Sequence, residues 1–171
     1  MGLFKLFTVL FSSPEKKLGV FLRWHGLSVS TAESCTGGLV SSLLTDVSGS
    51  SEYIFENIVT YSNTAKTKYL DVNPDTLSEY GAVSEQTAKE MAVGLKNQTK
   101  TDYTLATTGI AGPTGESPGK PIGLMYIGIY GKETVEVKKI LAPHWLPRTV
   151  MKKYFAKIAL IELYKFIEKD F

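Results

Sequence analysis

Cysteine, histidine and charge of one sign are what this chain has least of. Its single cysteine, Cys35, cannot close an internal disulfide, so neither a secreted disulfide framework nor a thiolate metal centre is expected. The two histidines, His25 and His144, lie far apart in sequence, which argues against a zinc site. Nineteen Lys and Arg against seventeen Asp and Glu leave a net charge of +2, too even a balance for a nucleic-acid groove. Long apolar runs are missing as well. The most apolar stretch, residues 1–11, is broken by Lys5, falls far short of a bilayer span and lacks a small-residue cleavage site. Neither membrane spanning nor secretion is expected. A cytoplasmic chain is, with this stretch packed as a short helix or strand on the body or on a partner subunit. No repeat or linker interrupts the 171 residues, of which 43% are apolar and 21% charged. Such a length and composition suit a single domain and exclude a disordered, collagenous or coiled-coil chain.

What is present is an alternation of helix and strand signals. Ser13-Pro14-Glu15 reads as a helix start, a serine cap followed by proline and an acid near the positive end. Leu18, Phe21, Leu22 and His25 give that helix one apolar stripe, and Gly26 stops it. Residues 27–32 fit a strand, 39–44 a helix, and 53–61 a β-branched and aromatic strand ending near Tyr61. Ser62 caps a short helix through Leu70; another is expected over 74–80, and Ser84 caps a longer one with Ala88, Met91, Ala92 and Leu95 inward. Residues 103–107 form a strand, 108–120 a long loop with glycines and prolines, and 122–130 with 134–141 a hairpin about Gly131-Lys132. Pro147 opens a final amphipathic helix. The expected fold class is α/β, a three-layer α/β/α sandwich around a mixed sheet in a single domain.

Three polar, glycine-bearing segments follow predicted strands, where open α/β sheets place ligands. In the first, residues 31–38, Ser34 sits at a strand-to-helix turn followed by Thr36, Gly37 and Gly38. A serine there is either a nucleophile with backbone N–H groups at hand for an oxyanion, or a helix cap. In the second, residues 60–66, a Ser62 cap puts Lys66 at the fourth helical position, the wrong end of the dipole for a cation. Such a lysine loses its proton readily and can activate a serine; the alternative makes Lys66 and Lys68 two solvated surface lysines. In the third, residues 107–115, glycines let backbone N–H groups approach an anion, or simply turn the chain. It fits neither the P-loop nor the dinucleotide fingerprint. Arg148, in the opening turn of the last helix, either suits a phosphate or is an ordinary surface arginine.

In this order the segments resemble one family, the C-terminal domain of the competence-damage-inducible protein CinA, also found alone as PncC. The resemblance rests on Ala32-Glu33-Ser34-Cys35-Thr36-Gly37-Gly38, Gly49-Ser50-Ser51, Val59-Thr60-Tyr61-Ser62-Asn63, Ala65-Lys66, Tyr80-Gly81-Ala82-Val83-Ser84, residues 106–115 and Lys120-Pro121-Ile122-Gly123. It runs from about Leu18 to the final helix, and divides the chain into an N-terminal extension, residues 1–13, and a family domain, 14–171. Before that helix the chain reads Leu146-Pro147-Arg148 where the family commonly has Gly-Asp-Arg, and Glu116 stands where a second glycine is common.

The resemblance implies an amidohydrolase that deamidates nicotinamide mononucleotide to nicotinic acid mononucleotide and ammonia, with no metal or other cofactor. Ser34 matches the nucleophile, Lys66 its base and Tyr61 a tyrosine supporting the pair, while Thr108 and Arg148 match substrate-binding positions. Gly109 continues that glycine-rich loop. Backbone N–H groups from Cys35 through Thr36, Gly37 and Gly38, or those of the Gly49-Ser50-Ser51 loop, would hold the developing oxyanion. The small-molecule substrate would be the partner, without nucleic acid or membrane, in a homodimer or larger homo-oligomer. The additional nucleotide-processing domain of larger CinA proteins, and its pyrophosphatase activity, are not expected here. Two other readings remain: a non-catalytic nucleotide-binding or assembly module of the same fold, and Cys35 as nucleophile.

Overall fold

A computed structural model describes residues 3–171, except the side chains of Leu3 and Lys5. Met1 and Gly2 of the expected N-terminal extension lie outside the described residues. In chain order the elements are α1 (Leu3–Phe11), α2 (Pro14–His25), β1 (Val29–Glu33), α3 (Leu39–Thr45), a single 3₁₀ turn at Ser50–Glu52, β2 (Ile54–Val59), α4 (Asn63–Leu70), α5 (Pro74–Glu79), α6 (Glu85–Thr99), β3 (Tyr103–Gly109), β4 (Leu124–Gly131), β5 (Thr134–Leu141) and α7 (Arg148–Glu168). The strands form one mixed sheet in the order β2-β1-β3-β4-β5. β1 runs parallel to both β2 and β3, and β4 and β5 continue the sheet antiparallel. β1 is buried along its whole length, as a central parallel strand covered on both faces must be.

Helices cover both faces, giving three layers. On one side α2, α3 and α7 share a core with Val29, Leu105, Ile127 and Ile129 of the sheet. On the other, α4 and α6 close over Ala32 and Ala106 with Leu70, Met91, Ala92 and Leu95. The expected α/β sandwich around a mixed sheet is what forms. No helix among the described residues is long and apolar enough to cross a membrane.

Three local expectations are corrected. Ser13 stands before α2 but its side chain caps nothing. The hairpin pivots on Lys132-Glu133 instead of Gly131-Lys132: both have positive φ, +46° and +58°, the twist a two-residue hairpin requires. Gly131 is spent elsewhere, because a Cβ there would come within 2.2 Å of the Tyr103 ring. And α7 is not amphipathic. Met151, Tyr154, Phe155, Ala156, Ile158, Leu160, Leu163 and Ile167 are all buried, because the helix lies between the sheet and α1, α2 and α3. α1 packs Leu6 and Val9 into this layer, and Lys157 of α7 donates to the carbonyls of Leu10 and Ser12 at its C-terminal end, at 2.7 and 2.6 Å.

Close approach of α6 to α4 depends on Gly94, where a Cβ would lie 1.8 Å from the Leu70 carbonyl oxygen. Alanine is the better helix former by about 1 kcal/mol, yet the clash is with backbone that cannot swing aside. Gly94→Ala is therefore expected to destabilise by about 2 kcal/mol or more, read as a lowered midpoint in urea unfolding.

Candidate active site

Strand alternation sorts the end of β1 onto two faces. Thr31 and Glu33 point toward α3: Thr31 Oγ1 lies 3.1 Å from Ser41 Oγ, and the buried Glu33 carboxylate accepts four bonds from α3. Its donors are the N–H groups of Gly38, Val40 and Ser41 at 2.9, 3.1 and 2.8 Å and the Ser41 hydroxyl at 2.6 Å. Ala32 and Ser34 point the other way, toward α4. The turn is tied to both neighbouring strands, Ser34 N–H donating to Thr107 O at 3.0 Å and Thr60 N–H to Glu33 O at 2.8 Å.

On α4, Ser62 caps as expected, accepting from Ala65 N–H at 3.1 Å, and Lys66 follows at the fourth helical position. Lys66 is only 1% exposed, whereas Lys68 is solvated. Its Nζ donates to Ser34 Oγ at 3.0 Å, Thr60 O at 2.8 Å and Tyr61 O at 3.3 Å. Among the described residues no carboxylate pairs with it. Desolvation accordingly pushes the amine down from 10.5 to about 8, opposed slightly by the Cys35 thiol. Hydrogen-bond counting fits both protonation states. The ammonium uses three N–H groups on the three oxygens; the neutral amine keeps two for the carbonyls and turns its lone pair to the Ser34 hydroxyl.

Ser34, Lys66, Tyr61, Thr108, Gly109 and Arg148 line one cavity of about 280 Å³, closed by Ala82-Val83 and the loop after β3. Thr108 and Gly109, expected in that loop, are the last residues of β3. Thr108 Oγ1 donates to Ala82 O at 2.6 Å, and a Cβ on Gly109 would meet Leu124 O at 2.6 Å. The loop folds back on itself through paired bonds between Ser117 and Lys120. Arg148 spans the mouth, donating to Gly112 O at 2.6 Å and to the Tyr61 hydroxyl at 3.1 Å. Tyr61 thus meets Lys66 through its carbonyl, while its exposed ring faces Arg148.

The geometry separates the other residues singled out in the sequence. Thr36 is fully buried beneath the turn, its hydroxyl 2.8 Å from that of Thr107. The N–H groups of Gly37 and Gly38 are occupied by Ser34 O and Glu33, so they are not available to an oxyanion. The Cys35 N–H lies against its own sulfur, and neither it nor the Thr36 N–H bonds to an oxygen acceptor among the described residues. Ser50 and Ser51 fall outside the cluster: their turn precedes β2, and that strand spans about 17 Å to the end where Ser34 lies. Cys35 is buried, and desolvation together with Glu33 pushes its thiol up to about 12, which suppresses the thiolate a nucleophile needs. His25 lies between Phe21 and Phe171, its ring tilted 34° and 45° to theirs. Among the described residues no three of His, Cys, Asp and Glu converge to hold a metal ion. Sequence reasoning passed over Glu33, whose signal was an acid as the last residue of an otherwise uncharged strand, six residues before the first residue of α3.

Comparison with known proteins agrees with this architecture. The family model described as CinA C-terminal domain matches residues 12–167. A CinA-like protein of Kosmotoga olearia is 55% identical over 119 residues, 70% of this chain and 29% of its own length. One from Chloroherpeton thalassium is 44% identical over 148 residues, 85% of this chain and 35% of its own. The chain thus spans about a third of the length of these curated relatives. Among solved structures, the competence/damage inducible protein CihA of Agrobacterium tumefaciens superposes with a TM-score of 0.84 at 37% identity, covering 91% of this chain and 96% of that one. A CinA superfamily protein of Escherichia coli gives 0.85 at 29% identity, over 90% and 88%. By family model, relatives and fold alike, the chain belongs to the CinA C-terminal domain family.

Proposed function

We propose that this chain is an amidohydrolase that deamidates nicotinamide mononucleotide, with Ser34 as nucleophile and Lys66 as its base. The observation that carries the reading is the buried Lys66 amine, 3.0 Å from Ser34 Oγ, with no carboxylate among the described residues to stabilise its charge. Neutral Lys66 takes the hydroxyl proton as Ser34 Oγ attacks the carboxamide carbon. The N–H groups of Cys35 and Thr36 receive the developing oxyanion. Lys66 returns the proton to the amide nitrogen, which leaves as ammonia. Water then attacks the acyl-enzyme, giving its proton through Lys66 to the departing Ser34 oxygen and releasing the carboxylate. Because its hydroxyl accepts from Arg148, Tyr61 keeps its own O–H to donate into the cavity. A volume of about 280 Å³ is at the small end for a ligand pocket, suiting the nicotinamide ring, with the ribose phosphate at the mouth beside Arg148.

Ammonia release from nicotinamide mononucleotide by the purified protein tests this. Ser34→Ala is expected to lower kcat/KM about a thousandfold or more with the fold intact, and Cys35→Ala to leave it within a few-fold. Full activity in Ser34→Ala would remove serine from the mechanism; binding without turnover in the wild type would favour the non-catalytic module.

The lysine also predicts two pH dependences. As a base it acts neutral, so kcat/KM should climb about tenfold per pH unit below pH 8 and level off above it. A profile flat from pH 6 to 9 would contradict it. Stability carries the same signature. With a folded pKa of about 8 against 10.5 unfolded, this side chain binds more protons in the unfolded chain between those values, and its contribution to stability rises with pH across that window. Relative to Lys66→Met, the wild type is expected to gain stability from pH 8 to 10.5 and to show no change in the difference below pH 7, measured by urea midpoints.

A further inference from the structure

α7 carries a second cation one turn beyond Arg148. Lys152 stands four residues on, so both side chains leave one face of the helix, about 6 Å apart along its axis. Arg148 is engaged by Gly112 O and Tyr61. Lys152 is not: among the described residues it meets no hydrogen-bond acceptor and no carboxylate, although it is only partly exposed. Its ammonium reaches across to the turn that carries Ser34, with Nζ 3.2 Å from where a Cβ on Gly37 would stand. Gly37 is exposed and has φ +61°, so the ammonium rests beside bare backbone. Among the described residues no carboxylate pairs with either cation; the acid of the cavity loop, Glu116, follows Gly115 and is exposed. α7 has no Asp or Glu in its first turn, and the carboxylate of this turn, Glu33, is already filled by four donors of α3. A partly sheltered cation without a counter-ion, fixed between a cavity-lining arginine and the nucleophile's turn, is suited to a doubly charged ligand group.

We propose that Lys152 is a specificity-determining residue: with Arg148 it forms a two-cation rim that takes the phosphate of a mononucleotide, so that the phosphorylated amide is preferred over its uncharged-sugar nucleoside. The inference rests on the amidohydrolase reading for its substrate, and on geometry alone for the anion it binds. Lys152 touches the end of the ligand remote from the reacting carbon, so it acts on binding and leaves the chemical step alone.

Steady-state kinetics on nicotinamide mononucleotide and nicotinamide riboside, for wild type, Lys152→Met, Lys152→Arg and the exposed neighbour Lys153→Ala, test it. Lys152→Met is expected to raise KM for the mononucleotide about tenfold with kcat within twofold, and to leave the riboside unchanged. Lys152→Arg should restore most of the preference, and Lys153→Ala should behave as wild type. An unaltered mononucleotide-to-riboside ratio in a folded Lys152→Met protein would overturn the proposal. Calorimetric binding of the two ligands to Ser34→Ala protein, with and without Lys152→Met, separates this failure from that of the parent reading. Selective weakening of the mononucleotide there supports the rim even if the wild type proves inactive. Equal weakening of both ligands, or of neither, rejects the rim even if it proves active.

Discussion

An amine buried without a counter-charge is the constraint around which the rest of the site is arranged. Lys66 has its stem in the protein interior and its Nζ among two carbonyls and a hydroxyl, all neutral acceptors. Had the neighbouring carboxylate, Glu33, faced this side, it would have held the lysine charged and removed its basicity. The period of two along β1 prevents that. Glu33 and Ser34 are consecutive, so one side chain goes to α3 and the other to α4. The acid organises the turn and the serine meets the base, and the sheet keeps them apart.

A cost comes with this arrangement. A lysine depressed to about 8 penalises the folded state at neutral pH, and the fold must supply the difference elsewhere. It does so near the site through close-packed backbone. Three strand ends are cross-linked by main-chain bonds from Ser34 and Thr60, and Gly109 and Gly94 permit contacts no other residue would. The turn is therefore held in place largely by main-chain bonds and rigid neighbours.

Much of this was legible in the residues. The Ser62 cap, read with the spacing to Lys66, placed the lysine in the first turn of a helix; that it is buried and not a second solvated lysine beside Lys68 came from the structure. The strand order was not readable, nor was the pairing of Arg148 with Tyr61, since contacts between residues 87 apart leave no local trace. The errors have physical causes. Gly131 looked like the hairpin's pivot because glycine is the usual residue for positive φ, but here it was needed against Tyr103 and the pivot fell to Lys132-Glu133. Ser50-Ser51 carried the composition of a ligand loop, but the parallel direction of β2 put it at the wrong end of the sheet. α7 reads as amphipathic because its apolar residues recur at helical spacing. Its small residues, Ala156 and Ala159, mark the second face, where other helices approach.

Four helices begin at the end of the sheet where Ser34 lies, and their N-termini are treated differently. That of α3 is filled by the protein's own carboxylate, Glu33. Those of α4 and α6 are closed by the Ser62 and Ser84 hydroxyls. Of the four, only α7 starts without a side-chain cap or an acid, behind Pro147, and it brings Arg148 and Lys152 on one face. Positive ends of helices attract any anion, so leaving all four open would let a phosphate settle beside the nucleophile and block it. Filling three of them internally leaves one direction for an anionic group, across the mouth of the cavity from Ser34. A ligand bound by that end is oriented before its amide reaches the serine, which is how binding energy remote from the reacting atoms is turned to positioning.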